Sequence, residues 1–191
     1  MINPIISLDQ FLEQFLFAHR TPELISFFSW ITDLGDARIV AIVCISMAIL
    51  LLRKHHFSYV AGLALVICGS TATSYILKKI VERPRPFPPI PAIFESGYSF
   101  PSLHATGAFA LYGFLIYMIY KLLLPPHHRK ALIALLSLLI VLIGFSRLYL
   151  GVHYLSDVLA GFVVGSLFLW LGTQTTIRLE RQSKKQSDAH E

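Results

Sequence analysis

The sequence predicts an all-α protein embedded in a membrane, because its composition and its apolar segments suit lipid better than water. Of its 191 residues, 55% are hydrophobic and only 14% are charged, whereas a soluble domain carries about 25% charged residues. Several segments approach the roughly 20 apolar residues that a bilayer span needs. These segments are residues 37–52, 57–77, 104–124, 131–150 and 153–173. The alternative, that these segments are buried helices of a soluble protein, is disfavoured because the remaining residues are too few to cover five such helices.

The N-terminal region is predicted to form short helices. Apolar residues recur at helical spacing over residues 8–16, with Asp9 and Glu13 on other faces, and Pro22 opens a second short apolar segment. We expect either interfacial amphipathic helices or, from both segments together, a short sixth span, which gives a helical bundle of five to six transmembrane helices. The predicted domains are this unit at residues 1–36, a transmembrane core at 37–175 and a polar tail at 176–191.

The net charge of +5 would suit nucleic acid or an anionic membrane surface, and the positions of the basic residues decide between them. They flank the predicted spans, so nucleic-acid binding has no specific support. One side of the membrane receives Arg53, Lys54, Lys121, Arg129, Lys130, Arg178, Arg181, Lys184 and Lys185. The positive-inside rule assigns that side to the cytoplasm. We therefore predict a multi-pass protein of the cell (inner) membrane with a cytoplasmic C-terminus.

Between the second and third spans lies a long irregular segment, residues 81–101, that is rich in proline. Its prolines are Pro84, Pro86, Pro88, Pro89, Pro91 and Pro101. Such density excludes a continuous helix. Loops longer than about 12–15 residues in compact proteins are often functional, so we expect this loop to contribute to a site.

Three segments concentrate ionisable residues at the predicted extracytoplasmic face: residues 78–86, 101–104 and 146–157. An ionisable side chain within the membrane costs about 2.5–3.5 kcal/mol on insertion scales and by default suggests function. Because span counting brings all three segments to one face, we predict a single site there.

The residues of this predicted site suit a phosphate group. Lys78, Arg85 and Arg147 supply three cations, and guanidinium groups match phosphate oxygens with paired hydrogen bonds. Ser102 and Leu103 open a predicted span, so backbone N–H groups and the helix dipole add a second anion-binding element. Taken alone, Ser102 is equally well explained as a helix N-cap.

Two histidines and a carboxylate complete the predicted chemistry. His153 and Asp157 are four residues apart, which on a helix places them on one face. A carboxylate there holds the imidazole in one tautomer and leaves Nε2 free to attack phosphorus. His104 can protonate the leaving oxygen and then activate water. Arg83 is interpreted as added positive charge near the site, and Glu95 is not assigned to substrate binding.

The three segments resemble the signatures of the type 2 phosphatidic acid phosphatase superfamily. They read Lys-x6-Arg-Pro from Lys78, Pro-Ser-x-His from Pro101, and Ser-Arg-x5-His-x3-Asp from Ser146. The resemblance implies a lipid phosphate or diphosphate phosphatase that forms a phosphohistidine and requires no metal or cofactor. It assigns the nucleophile to His153, its orientation to Asp157, acid–base catalysis to His104, and phosphate binding to Lys78, Arg85, Ser102, Leu103 and Arg147. The family usually has glycine where this chain has Leu103.

The resemblance implies a membrane lipid phosphate as substrate: undecaprenyl pyrophosphate, phosphatidylglycerol phosphate or phosphatidic acid. Two alternatives stay open at this point. The same site could transfer phosphate to a lipid or sugar acceptor instead of water, or the protein could be a catalytically silent phospholipid-binding membrane protein. The sequence makes no prediction of the oligomeric state.

Overall fold

The computed structural model describes residues 4–86, 90–123 and 126–188, and within these ranges the chain is helical and contains no strand. Pro88, Pro89 and the last three residues of the predicted tail lie outside the described residues. The helices are α1 (Pro4–Ala18), α2 (Pro22–Asp33), α3 (Ala37–Arg53), α4 (Phe57–Val81), α5 (Leu103–Met118, continued by a π-helical turn at Ile119–Leu123), α6 (Pro126–Tyr149) and α7 (Leu155–Asp188).

Five helical segments are long and apolar enough to cross a membrane, which confirms the predicted helical membrane bundle. They are Pro22–Arg53, Phe57–Val81, Leu103–Leu122, His128–Tyr149 and Leu155–Gln186. Large apolar side chains point outward along them, as at Ile42 and Val163, which are 60% and 66% exposed. Lipid is the solvent that such a surface requires.

Helix α5 lies at the centre of the bundle, in contact with α3, α4, α6 and α7. Ala105, Ala108, Leu111 and Phe114 on this helix are fully buried. Alanine and glycine let helix backbones approach closely in membranes, where packing and not water exclusion drives association. The small residues of α5 therefore allow four neighbours to surround it.

Two glycines of α7 bring that helix against the start of α5. A Cβ atom added to Gly161 would lie 2.7 Å from the Ser102 carbonyl oxygen, and one added to Gly165 would lie 2.9 Å from that of Thr106. A larger side chain at either glycine would collide with the backbone of α5. This close approach holds the segment before α7 beside the first turn of α5.

The N-terminal helices pack on the bundle at the end where α6 stops and α7 starts. Helix α1 contacts α6 and α7, and α2 contacts α6, where the Phe28 ring packs at a tilt against the Tyr149 ring. With 15 residues, α1 measures about 22 Å, less than the roughly 30 Å hydrocarbon core. Helix α2 is part of the candidate span Pro22–Arg53, and both alternatives for this region, interfacial helices or a short sixth span, stay predictions.

The polar tail predicted at residues 176–191 is helical as far as the structure describes it. Helix α7 continues through Asp188 and contains 34 residues, a length of about 51 Å that exceeds the bilayer core. Glu180 and Lys184 are four residues apart in the order that stabilises a helix. The polar sequence therefore extends the last helix beyond the apolar region.

Candidate active site

The three polar segments meet at one end of the bundle. Consecutive spans alternate in direction, so the end of α4, the start of α5, the end of α6 and the start of α7 lie together. The described parts of the loop, residues 82–86 and 90–102, cover this end, and Ser99 connects them by donating from its backbone N–H to the Arg83 carbonyl at 2.8 Å. The predicted convergence of distant segments is thus present in the structure.

A cavity of about 430 Å³ opens at this end of the bundle. Five of the predicted site residues line it: Lys78, Arg85, Leu103, His104 and His153. Apolar side chains of α3 and α4, including Val40, Ala41 and Ile67, form another part of its wall. The cavity therefore combines a cationic, histidine-bearing region with an apolar region between helices.

His153 lies in the short loop between α6 and α7 and is only 4% exposed. Its Nε2 atom lies 3.1 Å from Nη1 of Arg85, and its Nδ1 atom lies 3.5 Å from Oδ2 of Asp157. Among the described residues Nδ1 has no hydrogen-bond partner, and catalytic hydrogen bonds are often this long before substrate binds. Burial, followed by the charges of Arg147 and Arg85, lowers the pKa of His153 well below its usual value. The imidazole is therefore neutral, and its Nε2 lone pair is directed at the Arg85 guanidinium.

Asp157 is fully buried behind His153. The pair does not share a helical face as we expected, because α7 begins at Leu155 and His153 precedes it. Instead, Asp157 occupies the first turn of α7, and its Oδ2 atom accepts a hydrogen bond from the Tyr154 backbone N–H at 2.9 Å. This is the reach-back contact of a capping box. It brings the carboxylate to His153 by a different local geometry.

The two cavity cations Lys78 and Arg85 are positioned by backbone carbonyls. Lys78 Nζ donates to the Tyr98 carbonyl at 2.6 Å. Arg85 donates through Nε to Gly97 at 2.9 Å and through Nη1 to Val152 at 2.9 Å. Both side chains are therefore held in place before any ligand binds.

Arg147 lies deeper than the other two cations and is 1% exposed. Nη1 donates to the Thr32 hydroxyl at 2.7 Å, and Nη2 donates to the Glu95 carboxylate. Glu95 also lies 3.9 Å from Nη2 of Arg85. Burial is the largest single effect on the pKa of Glu95 and raises it, but the charge and hydrogen bond of Arg147, together with the charges of His104 and Arg85, outweigh burial and lower this pKa. A charged carboxylate thus stands between two of the predicted phosphate ligands.

Ser102 and Leu103 have different positions at the start of α5. Ser102 is fully buried and is the N-cap residue, with its hydroxyl accepting from the Ala105 N–H at 3.4 Å. Its backbone N–H donates to the Asp157 carbonyl at 3.0 Å. Leu103 and His104 line the cavity. The structure therefore shows the capping interaction of Ser102, whereas its contact with phosphate stays a prediction.

Arg83 makes contacts that the sequence reasoning missed. Its Nη1 donates to Asp157 Oδ1 at 2.7 Å, and its Nη2 donates to Asp9 Oδ2 at 2.8 Å. Asp9 is 3% exposed, whereas Leu8 beside it is 52% exposed. An acidic residue within the apolar helix α1 was the available signal, because a buried charge in such a segment needs a partner.

Comparison with known proteins identifies the family of this chain. The sequence model of the PAP2 superfamily matches residues 59–181, which include all three polar segments. The chain belongs to the PAP2 superfamily. Its relatives in this superfamily include phosphatidylglycerophosphatase B of Bacillus subtilis, 33% identical over 174 residues, which are 88% of this chain and 83% of that protein. A lipid A 4'-phosphatase of Bacteroides thetaiotaomicron is 32% identical over 158 residues, covering 71% of this chain and 65% of that protein.

Solved PAP2 structures share the fold. The crystal structure of a transmembrane PAP2 type phosphatidylglycerolphosphate phosphatase from Bacillus subtilis superposes with a TM-score of 0.80 at 28% identity, covering 92% of this chain and 88% of that one. LpxE of Aquifex aeolicus gives a TM-score of 0.70 at 27% identity, with coverage of 87% and 95%. The predictions of the superfamily, of the helical membrane fold and of a phosphate-ester hydrolase are thus confirmed.

Proposed function

We propose that this protein removes a terminal phosphate from a membrane lipid through a covalent phosphohistidine on His153. The observation that carries the proposal is the setting of the His153 imidazole. Nε2 faces Arg85 at 3.1 Å in the cavity, and Nδ1 faces Asp157 at 3.5 Å on the opposite side of the ring. A nucleophile with an orienting carboxylate behind it and cations before it is the arrangement that attack on phosphate requires.

In the first step, His153 Nε2 attacks phosphorus and the bond from phosphorus to the leaving oxygen breaks. The imidazole becomes positively charged, and Asp157 stabilises this charge through Nδ1–H. His104 is the general acid of this step and donates a proton to the leaving oxygen. The products of the step are the dephosphorylated lipid and phosphohistidine. If the substrate is a diphosphate, the leaving group is the lipid monophosphate.

In the second step, water replaces the lipid. Neutral His104 removes a proton from the water molecule as its oxygen attacks phosphorus. The bond between Nε2 of His153 and phosphorus breaks, inorganic phosphate leaves, and both histidines return to their initial protonation states. The same two residues serve both steps, as microscopic reversibility requires for this acid–base pair.

Positive charge for the transferring group comes from the side chains of the protein. Arg85 and Lys78 line the cavity, and Arg147 reaches it through Glu95. Because Glu95 holds a nitrogen of Arg147 that phosphate would use, the carboxylate must turn away when substrate binds. The phosphoryl oxygens then replace the Glu95 oxygens as hydrogen-bond acceptors. We propose that these cations stabilise the transition state and that the reaction therefore needs no metal ion.

The lipid character of the substrate fits the shape of the cavity. The apolar wall formed by Val40, Ala41 and Ile67 adjoins the cationic region. A lipid tail therefore has an apolar surface to follow while its phosphate reaches His153. The candidate substrates are phosphatidylglycerol phosphate, to which two relatives owe their names, together with undecaprenyl pyrophosphate and phosphatidic acid.

We further propose that the site faces the extracytoplasmic side, as the distribution of basic residues predicts. The test uses a variant in which Cys44 and Cys68 are alanine and either Ser96→Cys or Ser183→Cys is added. Both serines are exposed at opposite ends of the fold. An impermeant thiol reagent applied to intact cells should label the variant at position 96 and not that at 183. The reverse pattern overturns this orientation.

The activity itself is tested by phosphate release from the three candidate lipids in detergent, with EDTA present. We expect wild-type protein to release phosphate from at least one lipid and His153→Ala to release none above background. The matched control is a substitution of His55, a histidine just beyond the end of α3 that is remote from the site. It is replaced by asparagine because this residue tolerates the positive φ of 58° at position 55. Retention of wild-type rates by His153→Ala, or complete inhibition by EDTA, contradicts the proposal.

A further inference from the structure

The environment of Asp9 is unusual for a short helix with an apolar surface. Its carboxylate is 3% exposed and accepts hydrogen bonds from three groups of the catalytic end. Arg83 Nη2 donates at 2.8 Å, the Ser156 N–H donates at 3.0 Å, and the Ser156 hydroxyl donates at 2.5 Å. A buried charge is retained at little cost only when it is paired and hydrogen-bonded in this way.

Through these contacts Asp9 connects to Asp157. The second terminal nitrogen of Arg83 donates to Asp157 Oδ1 at 2.7 Å and to the Ser156 hydroxyl at 2.6 Å. The guanidinium also lies over the Tyr154 ring, 4.0 Å from its centroid. Because a guanidinium is planar and presents its donors in a fixed fork, Asp9 sets the angle at which Arg83 meets Asp157.

The remaining bonds of Asp157 show what this arrangement fixes. Arg83 occupies Oδ1 and the Tyr154 N–H occupies Oδ2. The position of Oδ2 relative to His153 Nδ1, 3.5 Å away, therefore depends on both contacts. Asp9 supports the first contact through Arg83, and it supports the second by binding the backbone N–H of Ser156 at the start of α7.

The charges of the network support the same conclusion. Arg83 alone would neutralise Asp157 and weaken its ability to stabilise a positively charged imidazole. A second carboxylate at Asp9 balances Arg83, so that the network of Asp9, Arg83 and Asp157 has a net negative charge beside His153. At short range in a water-poor site, such charges interact strongly.

We propose that Asp9 is a positioning residue of this phosphatase, which acts through Arg83 and Ser156 to orient and electrostatically support Asp157. The inference rests on the proposed role of Asp157. It extends the catalytic machinery to α1, which lies outside residues 59–181, the part matched by the PAP2 superfamily. Asp9 does not touch the substrate, so its contribution belongs to kcat and not to substrate binding.

The experiment compares the full-length variants Asp9→Asn, Asp157→Asn and their double combination on dioctanoyl phosphatidic acid in detergent micelles. Residues that orient metal ligands by hydrogen bonds contribute about 10- to 100-fold to activity, and by analogy we expect kcat of Asp9→Asn to fall about 10- to 100-fold with KM unchanged. Asp9→Asn should cause no further loss once Asp157 is already asparagine, because residues of one network are not additive. Glu13→Gln removes the same charge one turn along α1 and should keep wild-type kcat.

Each outcome decides between defined alternatives. Wild-type kcat in Asp9→Asn, or a loss that multiplies fully with that of Asp157→Asn, overturns the inference and indicates a structural anchor only. Wild-type kcat in Asp157→Asn contradicts the proposed function itself. If Asp9→Asn does not yield folded protein, Ser156→Ala removes the hydroxyl between Asp9 and Arg83 and is measured in the same cycle. If Ser156→Ala lowers kcat in wild type but not when Asp157 is already asparagine, the inference is supported. If Ser156→Ala leaves kcat unchanged, the inference is overturned.

Discussion

Replacing Glu95 by glutamine is expected to tighten the binding of phosphate-like anions at the active site. In the structure the Glu95 carboxylate accepts a hydrogen bond from Arg147 and lies 3.9 Å from a nitrogen of Arg85. An incoming phosphate must break the first contact and then sit near a displaced negative charge. Glutamine keeps the shape of the side chain and a neutral acceptor but removes the charge.

The magnitude follows from the contact that is lost. A hydrogen bond to a charged group contributes about 1.5–3 kcal/mol and a neutral one about 0.5–1.5 kcal/mol, so the difference is about 1–1.5 kcal/mol. We use the lower part of this range because the Glu95 side chain is 27% exposed and water screens its charge. Since about 1.4 kcal/mol corresponds to a factor of ten, a difference of about 1 kcal/mol should lower the inhibition constant roughly fivefold.

The assay measures competitive inhibition of lipid phosphate release by orthovanadate and by inorganic phosphate. Glu95→Gln should lower both inhibition constants, whereas Glu23→Gln, which removes an exposed carboxylate on α2, should leave both unchanged. Equal constants in wild type and Glu95→Gln would show that the carboxylate does not compete with phosphate. Weaker inhibition in Glu95→Gln would show that Glu95 assists anion binding, and either result refutes the reasoning.

Three further predictions concern the same end of the bundle. Arg147→Lys should lower kcat/KM by about tenfold or more, because loss of one charge-assisted hydrogen bond costs about 1.5–3 kcal/mol; an unchanged kcat/KM contradicts a phosphate role for Arg147. Gly161→Val should lower the free energy of unfolding by about 1–3 kcal/mol, because a Cβ atom at this position would lie 2.7 Å from the Ser102 carbonyl oxygen. Denaturant unfolding in detergent measures the change, and an unaltered unfolding midpoint contradicts the prediction. The pKa of His153 is lowered, so its NMR titration should lie below the ordinary value of about 6.5, and a titration at or above that value contradicts a neutral buried nucleophile.

The sequence was sufficient to predict the membrane fold, because hydropathy reports directly on the environment of a helix. It was also sufficient to bring Lys78, His104 and His153 to one end, because spans alternate in direction and their order fixes the side of each loop. Family membership followed from three short motifs at their expected order and spacing. The comparisons confirm the fold and the family, and the structure brings these residues together.

Other features were beyond sequence reasoning for identifiable physical reasons. The contact between Arg83 and Asp9 joins residues far apart in the chain, and no local pattern reports such a pairing. Asp9 also lies on a helix whose apolar residues, such as Leu8, face outward. In water that pattern would place Asp9 on the surface, whereas against lipid the polar face is free to turn inward. The sequence analysis assigned no secondary structure to the polar tail beyond residue 176, because polarity alone does not distinguish an exposed helix from a segment without secondary structure.

The central claim is that His153 carries the phosphate between the two steps, and chemical quench of a single turnover tests it most directly. Full-length protein is mixed with phosphatidic acid labelled with 32P in its phosphate, quenched within the turnover and digested. The account predicts label that is stable in base, labile in acid and located on the peptide that contains His153, with none in His153→Ala. Phosphate release without labelled protein at any quench time, or equal labelling of His153→Ala, would contradict the account.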